Sequence, residues 1–314
     1  PLQTSRASYW WLSCCFGSDD RPHVRNHYIR GQAQATHIHR KFSGLRLRKP
    51  SDAIPDCTAF EAEPLDESVY GGWSKLGCSE EERRLCEQLS RTVPQTGRKD
   101  PITLLRFLRA RGGNVEKAAK MYANCMKWRA EDGLAPRFEQ FTIDDTLHKR
   151  YDEVYKVIGV LGRDRDGDPV LWERMGLVDM SVCANVPTKF LVQHEIYTMV
   201  RIQQAMDEVS RSEGHPYMYW TVVVDLHGLG WHHFNMAALQ KYKQAIRIGQ
   251  DNFPEVVKRV LIIRPPWVFS LIWNIVQHFF DDCTREKMQI VSEKDTLMVL
   301  TKYIDPKWIP QSLG

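Results

Sequence analysis

The sequence has no G-x-x-x-x-G-K-[ST] loop, no G-x-S-x-G elbow and no H-E-x-x-H pair. A P-loop nucleotide site, an α/β-hydrolase nucleophile and a zincin helix are therefore excluded. It has no apolar run near the ~18 residues that a membrane-spanning helix requires. The richest stretch, 265–280, is interrupted by Ser270, Asn274, Gln277 and His278. None of the eight cysteines has C-x-x-C spacing, which argues against a zinc ribbon or a disulfide scaffold and for thiols in a reducing compartment. The net charge of +4 is too small to point to nucleic acid, and no such partner is expected. With 43% hydrophobic and 26% charged residues, collagen, coiled coil and wholesale disorder are ruled out. The 314 residues suffice for one large domain or two modest ones. Pro1 in place of methionine reads as the start of a fragment or processed product.

What is present changes character along the chain. Residues 1–50 hold nine Lys/Arg and two Asp/Glu, whereas 51–70 hold six acids and no Lys/Arg. Neither block has a sustained period, so 1–77 reads as an unstructured arm of opposite charge blocks. Its basic half is either a solvated tail or a surface for anionic lipid. Tyr9, Trp10, Trp11, Cys14 and Cys15 are compatible with an acylated anchor.

From Ser79 the punctuation is orderly. Ser79-Glu80-Glu81-Glu82 is a capping box, Asp100-Pro101 a second helix start and Asn114 a third, giving a small helical unit over 78–140. Beyond it, 157–161 and 170–172 read as a hairpin, and strands at 219–226, 260–263 and 288–291 alternate with a long helix after Pro187 that stops near Gly214 and Pro216 and with helices at 235–248, 267–280 and 292–303. That alternation predicts an α/β lobe over 141–314 with a mixed, largely parallel sheet.

Candidate sites follow from the residue types. The acidic turn 163–168 resembles a calcium loop, but position six counted from Asp164 is Pro169 and position twelve Met175, so a hairpin turn is the better reading. Gly228-Leu229-Gly230 sits between strand and helix like a dinucleotide fingerprint, yet its third position is His233. His227, His232 and His233 lack a converging fourth ligand, and Cys183 and Cys283 lack an evident base. No catalytic residue, cofactor or metal is assigned.

In 267–280, ten of fourteen residues are apolar. Leaving most of them in water would cost on the order of 15–30 kcal/mol, more than a domain's net stability. The segment is thus either a buried core helix or a lid over an apolar cavity that also touches a membrane.

The order of motifs resembles the CRAL-TRIO family of retinaldehyde, tocopherol and phosphatidylinositol transfer proteins. The segments are 104–111 with 115–118, Asp166-Gly167-Asp168-Pro169-Val170, Val224-Asp225-Leu226-x-Gly228, Asn252-Phe253-Pro254-Glu255, 260–267, Phe279-x-Asp281-x-x-Thr284-Arg285-x-Lys287 and the closing Ile309-Pro310. Together they cover about 79–314. The resemblance implies a non-enzymatic protein that binds and transfers one hydrophobic lipid in an enclosed pocket, in the cytoplasm and transiently on a membrane surface. It also implies that 267–280 is the mobile gate. Trp220, Val222, Val224, Gln244, Ile262, Trp267, Leu271, Ile275, Gln277 and Phe279 are the expected lipid-binding residues, with Ile272 and Phe280 facing the membrane from the gate. The Glu and Lys of phosphatidylinositol-binding members are replaced by Gln244 and Gln277, and small hydroxyl residues of the phosphatidylcholine site by Trp220 and Val222. A less polar ligand is implied. The motif's Asn is Arg264, either a phosphate contact or an exposed strand-end arginine, and Lys241 is a second possible phosphate partner. An α/β nucleotide-using enzyme and a lipid-sensing scaffold stand as the alternatives.

Overall fold

The computed structural model describes residues 73–94, 99–131 and 158–313. Most of the expected arm and the boundary near 140 lie outside the described residues; the arm's last residues are not unstructured, because Trp73–Leu76 form a 3₁₀ turn and Leu76 is buried against the helical unit. Helix α1 (Glu80–Thr92) begins at the anticipated capping box: Ser79 Oγ accepts from Glu82 N–H at 3.1 Å, and the Glu82 carboxylate accepts from Ser79 N–H at 2.9 Å. Two backbone donors that the first turn leaves unpaired are thereby satisfied. Asp100 caps α2 (Pro101–Arg109), and Asn114 Oδ1 accepts from Lys117 N–H at the start of α3 (Val115–Glu131). Their stripes meet in a core of Cys86, Leu89, Leu105, Leu108 and Tyr122, which also takes in Met218 and Tyr219 from the lobe. Arg106 donates to the Met218 carbonyl and Arg109 to the Tyr219 hydroxyl, each at 2.6 Å. The arginines of the 104–111 segment thus dock the helical unit against the entry to a central strand.

The lobe is built on five strands: β1 (Ile158–Arg163), β2 (Pro169–Glu173), β3 (Trp220–Asp225), β4 (Val257–Ile263) and β5 (Met288–Val291). Their order is 1-2-3-4-5, with β1 and β2 antiparallel and the other three pairs parallel. This is the mixed, largely parallel sheet expected. Parallel neighbours need long crossovers, supplied by α4 (Met180–Asn185), α5 (Thr188–Glu213), α6 (Met236–Asn252), α7 (Phe269–Val276) and α8 (Asp282–Glu286). Helix α9 (Thr296–Tyr303) follows β5. The short helices α4 and α8 have too few turns to show a period and were not anticipated. The lid helix is also shorter than 267–280, because α7 ends at Val276 and the chain continues as a 3₁₀ turn over Gln277–Phe279.

Period-two alternation sorts the strand residues onto two faces. Val170, Trp172, Val223, Leu261, Ile263 and Val291 pack against Leu300 and Ile304 from the C-terminal segment. Leu171, Trp220, Val222, Val260 and Ile262 face the other way, toward Met206 of α5 and Phe269 of α7.

The acidic turn holds a cation, but one from the chain itself. Lys258 Nζ lies 3.3, 2.6 and 2.7 Å from carboxylate oxygens of Asp164, Asp166 and Asp168. Asp164, whose side chain is wholly buried, also accepts from the Asp166 and Asp168 amides, each at 3.0 Å, and from Thr221 Oγ1 at 2.9 Å. One carboxylate ties the β1–β2 turn to β3 and β4.

Candidate functional site

Parallel register lines up side chains in rows across the sheet. Leu171, Val222, Val260 and Met288 form one row of the α5–α7 face; Glu173, Val224, Ile262 and Ile290 form the next. Trp220, Val222 and Ile262 are buried and Val224 half-buried in one cluster with Phe269 and Trp273 of the gate. Four of the expected lining residues are therefore brought together.

In this structure the two residues expected to meet the membrane when the gate opens are turned inward. On a helix, Phe269, Ile272, Ile275, Val276 and Phe279 share one stripe, and Trp267, Leu271, Asn274 and His278 share the opposite one. The first stripe faces inward: Ile272, expected on the membrane side, is 7% exposed in this structure, and Phe280 is half-buried. Trp267 and Leu271, expected inside, are 74% and 44% exposed. Ile275 and Gln277 are half-buried, and Gln244 is exposed on α6. Phe279 is buried but lies in a separate cleft of about 280 Å³ with Arg111, Lys243 and Arg247. There Gln250 pins the end of the gate: its Nε2 donates to the Phe279 carbonyl at 3.1 Å, and its Oε1 accepts from the Asp281 amide at 2.6 Å.

Three residues of this region escaped the sequence reading. Glu173 sits in the row of Val224 and Ile262, with Glu195 of α5 and Tyr242 of α6 as its titratable neighbours. Burial pushes the Glu173 carboxyl up to about 7, and burial together with the Glu173 charge pushes Glu195 up to about 8. The Tyr242 phenol is raised further by burial and by both carboxylates. Continuing the alternation past Trp172 by one residue would have put Glu173 on the Leu171 face.

The candidate chemistries resolve as structural. Arg264 grips Asp225 with two bonds, Nε to Oδ1 at 3.0 Å and NH2 to Oδ2 at 2.5 Å, so it is neither exposed nor directed at a phosphate. Lys241 Nζ donates to the Ala184 and Val186 carbonyls, both at 2.5 Å, and caps the end of α4. The Gly228 turn is filled by the chain. Gly228 has φ +90°, and a Cβ on Gly176 would meet the His227 carbonyl oxygen at 2.0 Å. The close backbone approach that a pyrophosphate makes in a dinucleotide fold is made here by Gly176. His233 Nδ1 accepts the Gly230 amide at 3.0 Å. Burial pushes the Cys183 thiol up to about 11, and burial with the Glu255 carboxylate does the same for Cys283. Thiolates are scarce at neutral pH in such settings. Among the described residues no three His, Cys, Asp or Glu side chains are grouped to hold a metal ion.

An exposed aromatic rim borders the gate. Trp231 is 56% exposed and stacks edge-on against Trp267 with ring centroids 5.6 Å apart; Leu271 lies one turn along, and Phe234 and Met236 are also exposed. Among the described residues, no helix is long and apolar enough to cross a membrane.

A mixed, largely parallel sheet with one apolar face under a short helix defines an α/β lobe with helices on the sheet. Comparison with known proteins gives the family. The CRAL/TRIO domain model matches residues 153–314 and the CRAL/TRIO N-terminal domain model residues 74–124. The chain belongs to the CRAL/TRIO family. It is 32% identical over 219 residues to the phosphatidylinositol/phosphatidylcholine transfer protein SFH9 of Arabidopsis thaliana, covering 68% of this chain and 37% of that protein. It is 30% identical over 225 residues to the Sec14 cytosolic factor of Schizosaccharomyces pombe, covering 70% of this chain and 76% of that protein. The chain spans about a third of the length of several of the relatives it matches. The crystal structure of Sfh5 shares the fold, with a TM-score of 0.50 at 18% identity over 70% of this chain and 83% of that one.

Proposed function

We propose that the lobe encloses an apolar cavity for one lipid, and that the chain carries this lipid between membranes without chemical conversion. The division into an arm ahead of Trp73, a helical unit from Trp73 to about 140 and a lipid lobe over 141–314 is part of this reading, since Leu76 packs in the core of the helical unit. The observation that carries it concerns Glu173, Glu195 and Tyr242. All three are surrounded by the lobe, yet each keeps part of its surface accessible. Internal space between the sheet and α5, α6 and α7 reconciles the two facts. The names of the relatives support a phospholipid-sized ligand, and the filled Gly228 turn and high thiol pKa values weigh against the enzyme alternative. A chain of sixteen carbons gains roughly 13 kcal/mol on leaving water. A pocket exchanges such a ligand with a bilayer only if it is nearly as apolar as the bilayer.

Phosphatidylinositol is not the preferred ligand in this reading. Gln244 and Gln277 carry no charge, and neutral hydrogen bonds are roughly half as strong as charge-assisted ones. Losing one such contact removes on the order of 1–3 kcal/mol, or about ten- to a hundredfold in selectivity. Arg264 and Lys241, the possible substitutes, are engaged elsewhere. The test is uptake from vesicles holding equal amounts of phosphatidylinositol, phosphatidylcholine and a neutral isoprenoid, read by mass spectrometry of the extracted protein. Near-stoichiometric neutral lipid is expected. Selective uptake of phosphatidylinositol overturns the ligand assignment, and no lipid at all overturns transfer.

Docking on a cytosolic membrane surface falls to the rim. Tryptophan favours the membrane–water boundary, where ring and N–H are both accommodated. Trp231→Ala with Trp267→Ala is expected to remove on the order of 2–3 kcal/mol of membrane affinity, a loss of roughly 30- to 150-fold in vesicle sedimentation. Because both side chains are exposed, the thermal midpoint should stay within a few degrees of the unmodified protein. Unchanged sedimentation would remove the rim from the docking surface.

A further inference from the structure

One polar island interrupts the apolar face of the lobe. Glu173 stands in the same row as Val224 and Ile262, beside the wholly apolar row of Leu171, Val222, Val260 and Met288. Glu195 comes from α5, where its Oε1 lies 3.7 Å from the position of a Cβ on Gly249 of α6, and Tyr242 comes from α6 itself. Three elements of the fold therefore bring three oxygen-bearing side chains toward one region. Among the described residues, no lysine or arginine forms an ion pair with either carboxylate, and neither carboxylate nor the phenol has a hydrogen-bond partner. All three are deep in the lobe and all three retain accessible surface.

Buried polar groups without partners are rare, because each loses its hydration with nothing in return. Where such groups converge on internal space, the partner is whatever fills that space, ordered water or a ligand. We propose that Glu173, Glu195 and Tyr242 form a subsite for the hydroxyl group of an uncharged, otherwise apolar lipid. The inference rests on the lipid-cavity reading above. A hydroxyl offers one donor and two acceptor lone pairs, which match a carboxyl and a phenol that can each donate and accept. Burial raises the Glu173 carboxyl to about 7 and the Glu195 carboxyl to about 8, so at neutral pH the pair carries well under two negative charges. An anionic head group would meet like charge here with no described cation to offset it. An ammonium would have to be dehydrated fully, and a buried ion pair repays that loss only with close geometry. The apolar body of the ligand can then lie along Val222, Val260 and Phe269, which share the cluster.

The test uses the full chain and four probes that differ only at the polar end: hexadecanol, hexadecyl methyl ether, hexadecylamine and hexadecanoate. Displacement of a fluorescent apolar dye reports their affinities. Hexadecanol is expected to bind at least about tenfold more tightly than its methyl ether, with the charged pair weaker than the alcohol. In Glu195→Leu combined with Tyr242→Phe, the alcohol should fall to the level of the ether while ether binding is retained, which shows that the cavity is intact. Equal affinity for alcohol and ether in the unmodified protein overturns the subsite and leaves the cavity standing. Tightest binding of hexadecylamine overturns the choice of an uncharged ligand. Binding of none of the four overturns cavity and subsite together.

Discussion

Replacing Asp164 by alanine is expected to lower the stability of the protein by about 3–5 kcal/mol, the range for removing one partner of a buried ion pair. The side chain is wholly buried, and its oxygens receive two backbone amides, the Thr221 hydroxyl, Lys258 and, at 3.5 Å, Arg259. Alanine leaves two amides and a hydroxyl without an acceptor and removes the innermost of the three carboxylates around Lys258. Asp166 provides the comparison. It contacts the same ammonium at 2.6 Å but is 63% exposed, so Asp166→Ala is expected to cost about 1 kcal/mol or less. Urea unfolding should show a lower midpoint at unchanged slope for Asp164→Ala. Equal losses in the two variants would mean that burial does not govern this turn.

The same turn shows where sequence reading reached its limit. The failed match to a calcium loop was legible, because it depends on residues close in sequence. Lys258, which supplies the positive charge, is some ninety positions away, and no local pattern connects it to Asp164. The sheet was legible for the opposite reason. Val222-Val223-Val224 and 260–263 are short buried runs, and alternation within them places Trp220, Val222, Val224 and Ile262 on one face without knowledge of the neighbours. The gate was legible as an apolar helix with one narrow polar stripe, but the side taken by its large apolar residues was not. With ten of fourteen residues apolar, hydrophobicity does not distinguish inside from outside. The stripe through Trp267, Leu271, Asn274 and His278, which mixes two large apolar residues with two polar ones, is the outer one. The polar residues Ser270, Asn274, Gln277 and His278 form one narrow stripe in the sequence, and all but half-buried Gln277 are exposed; what they do not reveal is that Trp267 and Leu271 lie beside them on the outer side. Glu173 was missed through one residue of strand length. It follows Trp172, where the expected strand stopped, and an acidic residue at a strand end reads as solvated until the row across β3 and β4 is known.

Between about pH 5 and pH 8.5 the unliganded protein is expected to lose stability as the pH rises, and Glu173 and Glu195 are the cause. In the unfolded chain both carboxyls titrate near the ordinary 4.5, whereas in the folded lobe burial holds them at about 7 and about 8. Below the ordinary value both states are protonated and the groups contribute no pH dependence. Between the two values the folded state binds more protons than the unfolded state, so stability declines with pH. The decline ends once the pH has passed the folded values and both states are ionised. Each pH unit that separates the folded from the unfolded titration corresponds to about 1.4 kcal/mol, and with relaxation of the site the combined loss should be on the order of 3–5 kcal/mol. Glu173→Gln with Glu195→Gln removes both titrations while keeping the shape of the side chains. Its unfolding free energy should therefore be nearly flat over the window in which the unmodified protein falls, and it should be the more stable of the two at about pH 8.5. Urea unfolding of both at about pH 5.5, 7 and 8.5 measures the difference directly. Parallel curves would show that the two carboxyls are solvated in the folded state, and the space they border would then be open to water.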